Sequence, residues 1–404
     1  MNNVLTVQIN DHLHYIGVND RATHLFEGMW PLPNGVAYNS YLMTGTKNIL
    51  LDTVKFNCAD DFMDKLREVL GEDGKVDYLV VNHMEPDHSS GMKMVLDVFP
   101  DVQIIGNKKT LSFLENYYGI VKNTIEVKEG ETLELGNRKL TFYMTPMVHW
   151  PESMVCYEEE TKVLFSQDAF GGFGTLDGSI FDDQINFDEY YYDETVRYYT
   201  NIVGKYSNQV QSALKKLGGL EIDMICPVHG PIWRENPGKI ISLYDSLSRQ
   251  ETTDGVVIIY ASMYGNTERM AEQVARSLAN EGVKNIRIRD ISKTSFSYLL
   301  ADTWKYRGIV LGSCTYNVHL YPLMSFLVHE LKMQKMKNHV LGIFGSYSWS
   351  GGALKELKEF AEGSGFDVCP TQIEVNGAPK QADLEALNQL GKEMAQKLRE
   401  SKGE

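Results

Sequence analysis

The chain has 404 residues, 43% of them hydrophobic and 23% charged, so it is long enough for two or three globular domains with sizeable cores. Its net charge of −15 argues against nucleic acid or an anionic membrane surface as a partner. No stretch approaches the ~20 consecutive apolar residues of a membrane span, and the start shows no export signal, so we expect a cytoplasmic protein.

The cysteines are scattered singly and form no C-x-x-C pair, which argues against an iron–sulfur or rubredoxin-type site built by this chain alone. We interpret them as buried small hydrophobes. They are Cys58, Cys156, Cys226, Cys314 and Cys369.

Residues 1–250 alternate strand-like runs with loops and a few helices. Helical spacing of apolar residues predicts helices within 59–72 and 91–99. Enrichment in β-branched and aromatic residues predicts strands at 48–54, 76–82, 102–107, 139–146, 162–168 and 223–230. Several of these strands stop beside a His or Asp, and we expect those side chains to converge on one edge of a sheet.

The polar segment "DSLSRQETTDG" (245–255) predicts a linker, and we place the domain boundary between residues 250 and 251. After it, buried-strand runs begin near 255, 285, 308, 340 and 367, with amphipathic helices at 268–282 and 384–400. This alternation predicts a doubly wound parallel sheet in 251–404.

The stretch "HMEPDHSSGM" (83–92) follows the apolar run "VDYLVV" and packs two histidines and two carboxylates into six positions. Other strand ends carry "TPMVHWP", "FSQDAF" and "CPVHGP". A core does not tolerate this many ionisable groups unpaired, whereas one or two metal ions would neutralise the carboxylates and use the imidazoles. The candidate ligands are His83, Glu85, Asp87, His88, His149, Asp168 and His229.

The set divides naturally into two groups. We expect His83, Glu85 and His149 on one ion, with Asp168 bridging the two ions through its two oxygens. Asp87, His88 and His229 would hold the second ion.

This pattern resembles the metallo-β-lactamase superfamily, whose fingerprint is H-x-H-x-D-H followed by later His, Asp and His residues. Here Glu85 replaces the second His, as in the flavodiiron branch of that superfamily. Tetrahedral zinc prefers nitrogen and sulfur ligands, whereas a carboxylate-richer set suits non-haem iron with open positions.

A second site is predicted around "SMYGNT" (262–267), which joins a buried strand to a helix and offers a phosphate cradle. Two later strand-end loops, "GSCTYN" and "GSYSWSGG", carry aromatic residues that would hold a planar ring by stacking, with Trp349 as our choice against the ring. This half resembles a flavodoxin, which implies FMN at the carboxyl ends of the strands. The candidate FMN residues are Ser262, Met263, Tyr264, Gly265, Asn266, Thr267, Ser313, Thr315, Tyr316, Asn317, Ser346, Tyr347, Ser348, Trp349 and Gly351.

A dinucleotide-binding Rossmann site is the competing interpretation of this half. No G-x-G-x-x-G follows a strand, so we reject it.

Taken together, the two halves resemble the flavodiiron proteins (A-type flavoproteins) over essentially the whole chain. The resemblance implies an α/β protein with an N-terminal metallo-β-lactamase-like αββα sandwich (1–250) and a C-terminal flavodoxin-like domain (251–404). It implies two non-haem irons and one FMN per chain, and reduction of dioxygen to water and/or nitric oxide to nitrous oxide.

The same resemblance implies partners. Electrons would come from an external donor such as rubredoxin or a reduced deazaflavin. A homodimer, or a dimer of dimers, would set each flavin against the partner's irons, and the short predicted linker favours the same arrangement.

Three further residues are candidates for the substrate pocket. His24, in "RATHLFEGMW", is raised by the family resemblance, and one of the pair Tyr198 and Tyr199, in "VRYYTNI", could line the pocket.

Two other functions remain open at this point. One is a zinc hydrolase fused to a flavodoxin electron carrier, against which Glu85 argues. The other is a redox shuttle with a vestigial metal half, against which the complete ligand set argues.

Overall fold

A computed structural model describes residues 6–400, and the chain divides into two compact units, residues 1–249 and 250–404. No helix within residues 6–400 is both long enough and apolar enough to cross a bilayer.

Most strands of the first unit are only two to five residues long. They are β1 (Val7–Gln8), β2 (Leu13–Tyr15), β3 (Val18–Asp20), β4 (Leu25–Phe26), β5 (Trp30–Pro31), β6 (Val36–Tyr38), β7 (Tyr41–Met43), β8 (Ile49–Leu51), β9 (Tyr78–Val80), β10 (Gln103–Gly106), β11 (Thr124–Glu126), β12 (Glu131–Leu135), β13 (Arg138–Met144), β14 (Met154–Glu158), β15 (Val163–Gln167) and β16 (Met224–Pro227).

Two main sheets form from these strands within residues 6–249. One has the order β1-β2-β7-β8-β9-β10-β11, and its last four strands are parallel. The other has the order β12-β13-β14-β15-β16, antiparallel except for the parallel pair β15 and β16. Every residue of β14 and β15 is buried, as expected for strands covered on both faces.

Helices connect the strands of this unit. They are α1 (Ala59–Leu70), α2 (Pro86–Ser89), α3 (Met92–Val98), α4 (Lys108–Tyr118), α5 (Phe187–Tyr190), α6 (Tyr192–Tyr198), α7 (Ser207–Leu217) and α8 (Pro237–Ser248). Local sequence explains the limits of α4, because the Asn107 side chain accepts from two backbone N–H groups at its start and Gly119 ends it in the left-handed region. A π-helical turn, Tyr199–Val203, continues α6.

The second unit contains the strands β17 (Thr253–Ala261), β18 (Ile286–Asp290), β19 (Tyr306–Tyr316), β20 (His319–Leu320), β21 (Val340–Tyr347) and β22 (Asp367–Asn376). Its helices are α9 (Asn266–Asn280), α10 (Phe296–Lys305), α11 (Pro322–Gln334), α12 (Ala353–Ser364) and α13 (Gln381–Glu400). The parallel strands have the order β18-β17-β19-β21-β22, and β20 adds an antiparallel pair to β19. This is the flavodoxin-like order, in which ligands bind at the carboxyl edge where the strand order reverses.

A hydrophobic core lies on one side of this sheet and explains the sequence pattern. Val256, Ile258, Val310 and Phe344 of the strands pack with residues of α9 and α13, including the fully buried Met394. Strands buried on both faces read as the continuous apolar runs seen in the sequence.

The predicted fold class is confirmed, with a lactamase-like first unit and a flavodoxin-like second unit. The linker expected at 245–255 is shorter than predicted. Helix α8 continues to Ser248 and β17 begins at Thr253, which leaves 249–252 between them.

Candidate metal centre and flavin loops

The predicted metal ligands follow strands that end at one edge of the first unit. Strand β9 leads to His83 and Glu85, and Asp168 and His229 follow the parallel neighbours β15 and β16. Pro86 begins helix α2, which carries Asp87 and His88 on its first turn.

Asp168 lies at the centre of the cluster. Its Oδ2 is 3.1 Å from His83 Nε2 and 3.2 Å from His149 Nε2, and its Oδ1 is 3.3 Å from His229 Nε2. The two oxygens of one carboxylate therefore face the two predicted groups of ligands.

The remaining ligands complete the two groups. Glu85 Oε2 is 2.9 Å from His149 Nε2, and Asp87 Oδ2 is 3.2 Å from His229 Nε2. His88 Nε2 lies 3.6 Å from Asp87 Oδ1 and 3.7 Å from Asp168 Oδ2, so it stands between the groups.

Polar atoms of the cluster are buried without a hydrogen-bond partner, which is the condition that a bound cation relieves. Among the residues that the structure describes, these atoms are Nε2 of His83 and His229, both ring nitrogens of His88, both carboxylate oxygens of Asp87 and Oδ2 of Asp168. His83, Glu85, His88 and Asp168 also each offer a ligand atom within 4.8 Å of the others. The donor set of imidazole and carboxylate fits non-haem iron.

The carboxylates of the cluster raise the pKa of its imidazoles. Burial alone would lower the pKa of the imidazoles, but Glu85 and Asp168 outweigh it and raise the pKa of His149 to about 9. In the same way Asp168 and Asp87 raise the pKa of His229 to about 10. The protonated imidazoles thus balance the charge of the carboxylates. A metal cation that bound here would displace those protons and balance the same charge.

The predicted pocket residues are placed differently from one another. Tyr198 is fully buried, and its hydroxyl donates to Asp168 Oδ1 over 2.9 Å. The Tyr199 hydroxyl lies 3.0 Å from Ser207 Oγ, and its ring packs on Tyr244, so it turns away from the ligands. His24 is exposed just before β4, and within residues 6–400 its side chain makes no hydrogen bond with the cluster.

Sequence reasoning missed the residues that support the ligands. Glu152 Oε1 accepts from His83 Nδ1 over 2.6 Å. Asp52 accepts from the backbone N–H and the side-chain amide of Asn82, which holds the chain directly before His83. The signal for Glu152 was its place three residues after His149, but a carboxylate near a ligand is common in sequence.

The predicted phosphate loop of the second unit joins β17 to α9. Gly265 adopts a positive φ of 89° at the start of α9, and its N–H donates to Ser262 Oγ over 3.0 Å. Thr267 is 1% exposed, and its hydroxyl bonds that of Ser346 over 2.9 Å, so the first and third loops meet. Asn266 is the first residue of the helix.

Aromatic residues of these loops are unusually exposed. Tyr264 is 92% and Trp349 is 85% exposed, although rings of this size are normally covered. Met263 and Tyr316 are about half as exposed, at 44% and 43%. A planar cofactor held between such side chains accounts for their exposure, which fits FMN.

The other loop residues lie at the same carboxyl edge. Ser313 is buried and donates to Cys314 O, and Thr315 Oγ1 accepts from Ala353 N at the start of α12. A Cβ on Gly351 would approach Glu374 Oε2 to 2.5 Å, so a larger residue there would require the Glu374 side chain to move. Asn317 follows β19, Tyr347 is the last residue of β21, and Ser348 follows it.

Known proteins match both units. Residues 36–230 match the family model described as ODP family beta lactamase, and residues 258–390 match the Flavodoxin model. The anaerobic nitric oxide reductase flavorubredoxin of Escherichia coli is 31% identical over 397 residues, covering 97% of this chain and 82% of that protein.

Solved structures agree. Rubredoxin oxygen:oxidoreductase from the anaerobe Desulfovibrio gigas has a TM-score of 0.94 at 31% identity, covering 99% of this chain and 100% of that chain. The flavodiiron protein from Giardia intestinalis has a TM-score of 0.93 at 25% identity, covering 98% and 97%. Likeness of this extent, together with the ligand cluster and the flavin loops, shows that the chain belongs to the flavodiiron proteins, oxidoreductases that carry two non-haem irons and FMN.

Proposed function

We propose that this protein reduces dioxygen to water and/or nitric oxide to nitrous oxide at a diiron site in its first unit, with electrons that reach the irons through FMN. The observation that carries the proposal is the buried ligand cluster, whose unpartnered nitrogen and oxygen atoms converge on Asp168. Bound there, two irons supply open positions for a diatomic gas, and FMN supplies electrons singly.

The chain's own residues divide the work of holding the metals. His83, Glu85 and His149 would hold one iron, and Asp168 would contribute to both irons. Asp87, His88 and His229 would hold the other iron. The distances from the two oxygens of Asp168 to the three imidazole Nε2 atoms support this division.

Tyr198 orients the bridging carboxylate. Its hydroxyl donates to Asp168 Oδ1, and both residues are fully buried, so this hydrogen bond fixes the orientation of the carboxylate. His24, on the exposed loop before β4, completes the substrate pocket at its rim, and Tyr199 supports the wall behind Tyr198 through its ring contact with Tyr244.

FMN binds at the three loops of the second unit. The N–H groups at the start of α9 and the Thr267 hydroxyl would bind the phosphate, and Trp349 would stack on the ring. The exposed aromatics and the left-handed Gly265 support this assignment.

The electron donor is external and the assembly is a homodimer or a dimer of dimers. A rubredoxin-type donor is supported by the name of the Desulfovibrio gigas relative, and a reduced deazaflavin is the second candidate. The protein acts in the cytoplasm, where each flavin of a dimer serves the partner's irons.

Gas consumption by the purified protein tests the proposal. Reduced FMN is regenerated by an excess of a small chemical reductant, and the consumption of dioxygen and of nitric oxide is measured separately. We expect rapid consumption of at least one gas, lost in the His83→Asn variant. Zinc in place of iron, with neither gas consumed, would favour the zinc hydrolase fused to an electron carrier.

A further inference from the structure

The imidazole of His83 is backed by a buried carboxylate. Glu152 Oε1 accepts from His83 Nδ1 over 2.6 Å and from the backbone N–H of Met84 over 3.0 Å. Both side chains in this pair have no exposed surface. Because Nδ1 donates to Glu152, the other ring nitrogen, Nε2, is the one that faces Asp168.

The main chain of Glu152 is fixed independently of His83. Asn107 Nδ2 donates to the backbone carbonyl of Glu152 over 2.5 Å, while the Asn107 side-chain oxygen caps helix α4. The Trp150 ring stands edge-on to His83 with the ring centroids 5.2 Å apart. The N-cap residue of α4 thus fixes the backbone at Glu152, and the Trp150 ring packs against the imidazole that the Glu152 carboxylate contacts.

The charge of Glu152 is balanced by His83 alone. Within residues 6–400, His83 is the one ion-pair partner of this carboxylate, and Glu152 Oε2 has no hydrogen-bond partner. Burying a carboxylate with so few partners destabilises the folded state. A side chain with a purely structural role at this position would avoid that cost.

Two other imidazoles of the cluster, those of His229 and His88, are backed differently. His229 Nδ1 donates to the backbone carbonyl of Ala37 over 2.7 Å, which is a neutral acceptor. His88 Nδ1 is buried without a hydrogen-bond partner in the described part of the chain. His83 therefore stands out from both, because its acceptor carries a full negative charge.

We propose that Glu152 is a positioning residue that makes the two irons unequal. A carboxylate behind a metal-bound imidazole fixes its tautomer and raises its basicity as a ligand, more than a neutral carbonyl does. The iron held by His83 is therefore bound more tightly and is harder to reduce than its neighbour. This inference rests on the proposed diiron site.

The substitution Glu152→Gln isolates the charge, because an amide oxygen can still accept from His83 Nδ1. We expect the variant to retain one of the two irons against a chelator about 10–100-fold more weakly than the wild type does. We also expect the reduction potential of that iron to rise. FMN content and the FMN potential stay at the wild-type values. Glu152→Asp keeps the charge but withdraws it by one methylene, so it shifts both quantities in the same direction by less.

Glu158→Gln is the matched control. Glu158 is also fully buried, but its carboxylate accepts from the backbone N–H of Thr161, and within residues 6–400 no hydrogen bond or ion pair joins it to the candidate ligands. Iron retention and potentials in Glu158→Gln are expected to match wild type.

The outcomes are separable. Identical iron retention and potentials in Glu152→Gln and Glu158→Gln would overturn the inference, and so would equal loss of both irons. If Glu152→Gln does not fold, Glu152→Asp decides, since wild-type values there overturn the inference as well. Wild-type protein that holds no iron would overturn the proposed function instead.

Discussion

Placing a negative charge in the phosphate loop should remove the flavin and leave the metal centre intact. Thr267 is 1% exposed in the first turn of α9, where we place the FMN phosphate. Two unit charges ~4 Å apart interact by about 4 kcal/mol at an effective dielectric constant of about 20. Thr267→Asp should therefore weaken FMN binding roughly a thousand-fold.

The helix itself should survive this change, since an acidic residue in the first turn stabilises a helix by about 0.3–1 kcal/mol. Loss of flavin would thus report on the phosphate contact. The assay is titration of the apoprotein with FMN, followed by quenching of flavin fluorescence, with the iron content measured in parallel. Thr267→Ser is the control, because it keeps the hydroxyl that bonds Ser346. An FMN affinity for Thr267→Asp within about threefold of wild type would refute the assignment of this loop.

Three other experiments test separate parts of the account. Glu85→His should shift the metal content of the purified protein from iron toward zinc and abolish gas reduction with FMN content unchanged, and normal iron with full turnover would contradict this. Burial lowers the pKa of His339 from 6.5 to about 4, so between these pH values the unfolded chain binds more protons than the folded chain. The free energy of unfolding therefore falls as the pH drops from 6.5 toward 4, by at most about 1.4 kcal/mol per pH unit. In His339→Asn this slope of the urea midpoint against pH should flatten, and an unchanged slope would assign the acid sensitivity elsewhere. Finally, dimers that pair a His83→Asn, His149→Asn chain with a Thr267→Asp chain should recover activity that neither homodimer has, whereas inactive mixed dimers would place electron transfer within one chain.

The sequence predicted the elements whose pattern is long or repeated. Strand β17 and helix α9 could be read from a buried run, a glycine and an amphipathic period. The strands before residue 44 could not, because most have only two or three residues and show no period.

The predicted linker shows how burial overrides composition. Residues 245–248 are mostly polar, yet Tyr244 and Leu247 are buried and Ser248 Oγ donates to the Tyr244 carbonyl. Helix α8 therefore continues through this segment. Gln211, from α7, donates to Ser248 Oγ as well. Only the packing of α7 on α8 reveals this.

The sequence indicates the candidate ligands, but it does not indicate the residues that support them. Each ligand follows a recognisable strand or motif, so His83 and Asp168 could be assigned by type and place. Glu152 supports His83 across 69 positions of sequence, and no local pattern marks such a pair. Tyr198 and Tyr199 are neighbours of the same type, and only the direction of α6 and the following π-helical turn separates their roles.

A crystal structure with anomalous diffraction at the iron absorption edge would test the central claim most directly. We predict two iron peaks per chain, roughly 3.5–4 Å apart, on either side of the Asp168 carboxylate. One should lie beside His83, Glu85 and His149, and the other beside Asp87, His88 and His229. A single peak, or a signal at the zinc edge alone, would contradict a diiron site in this cluster.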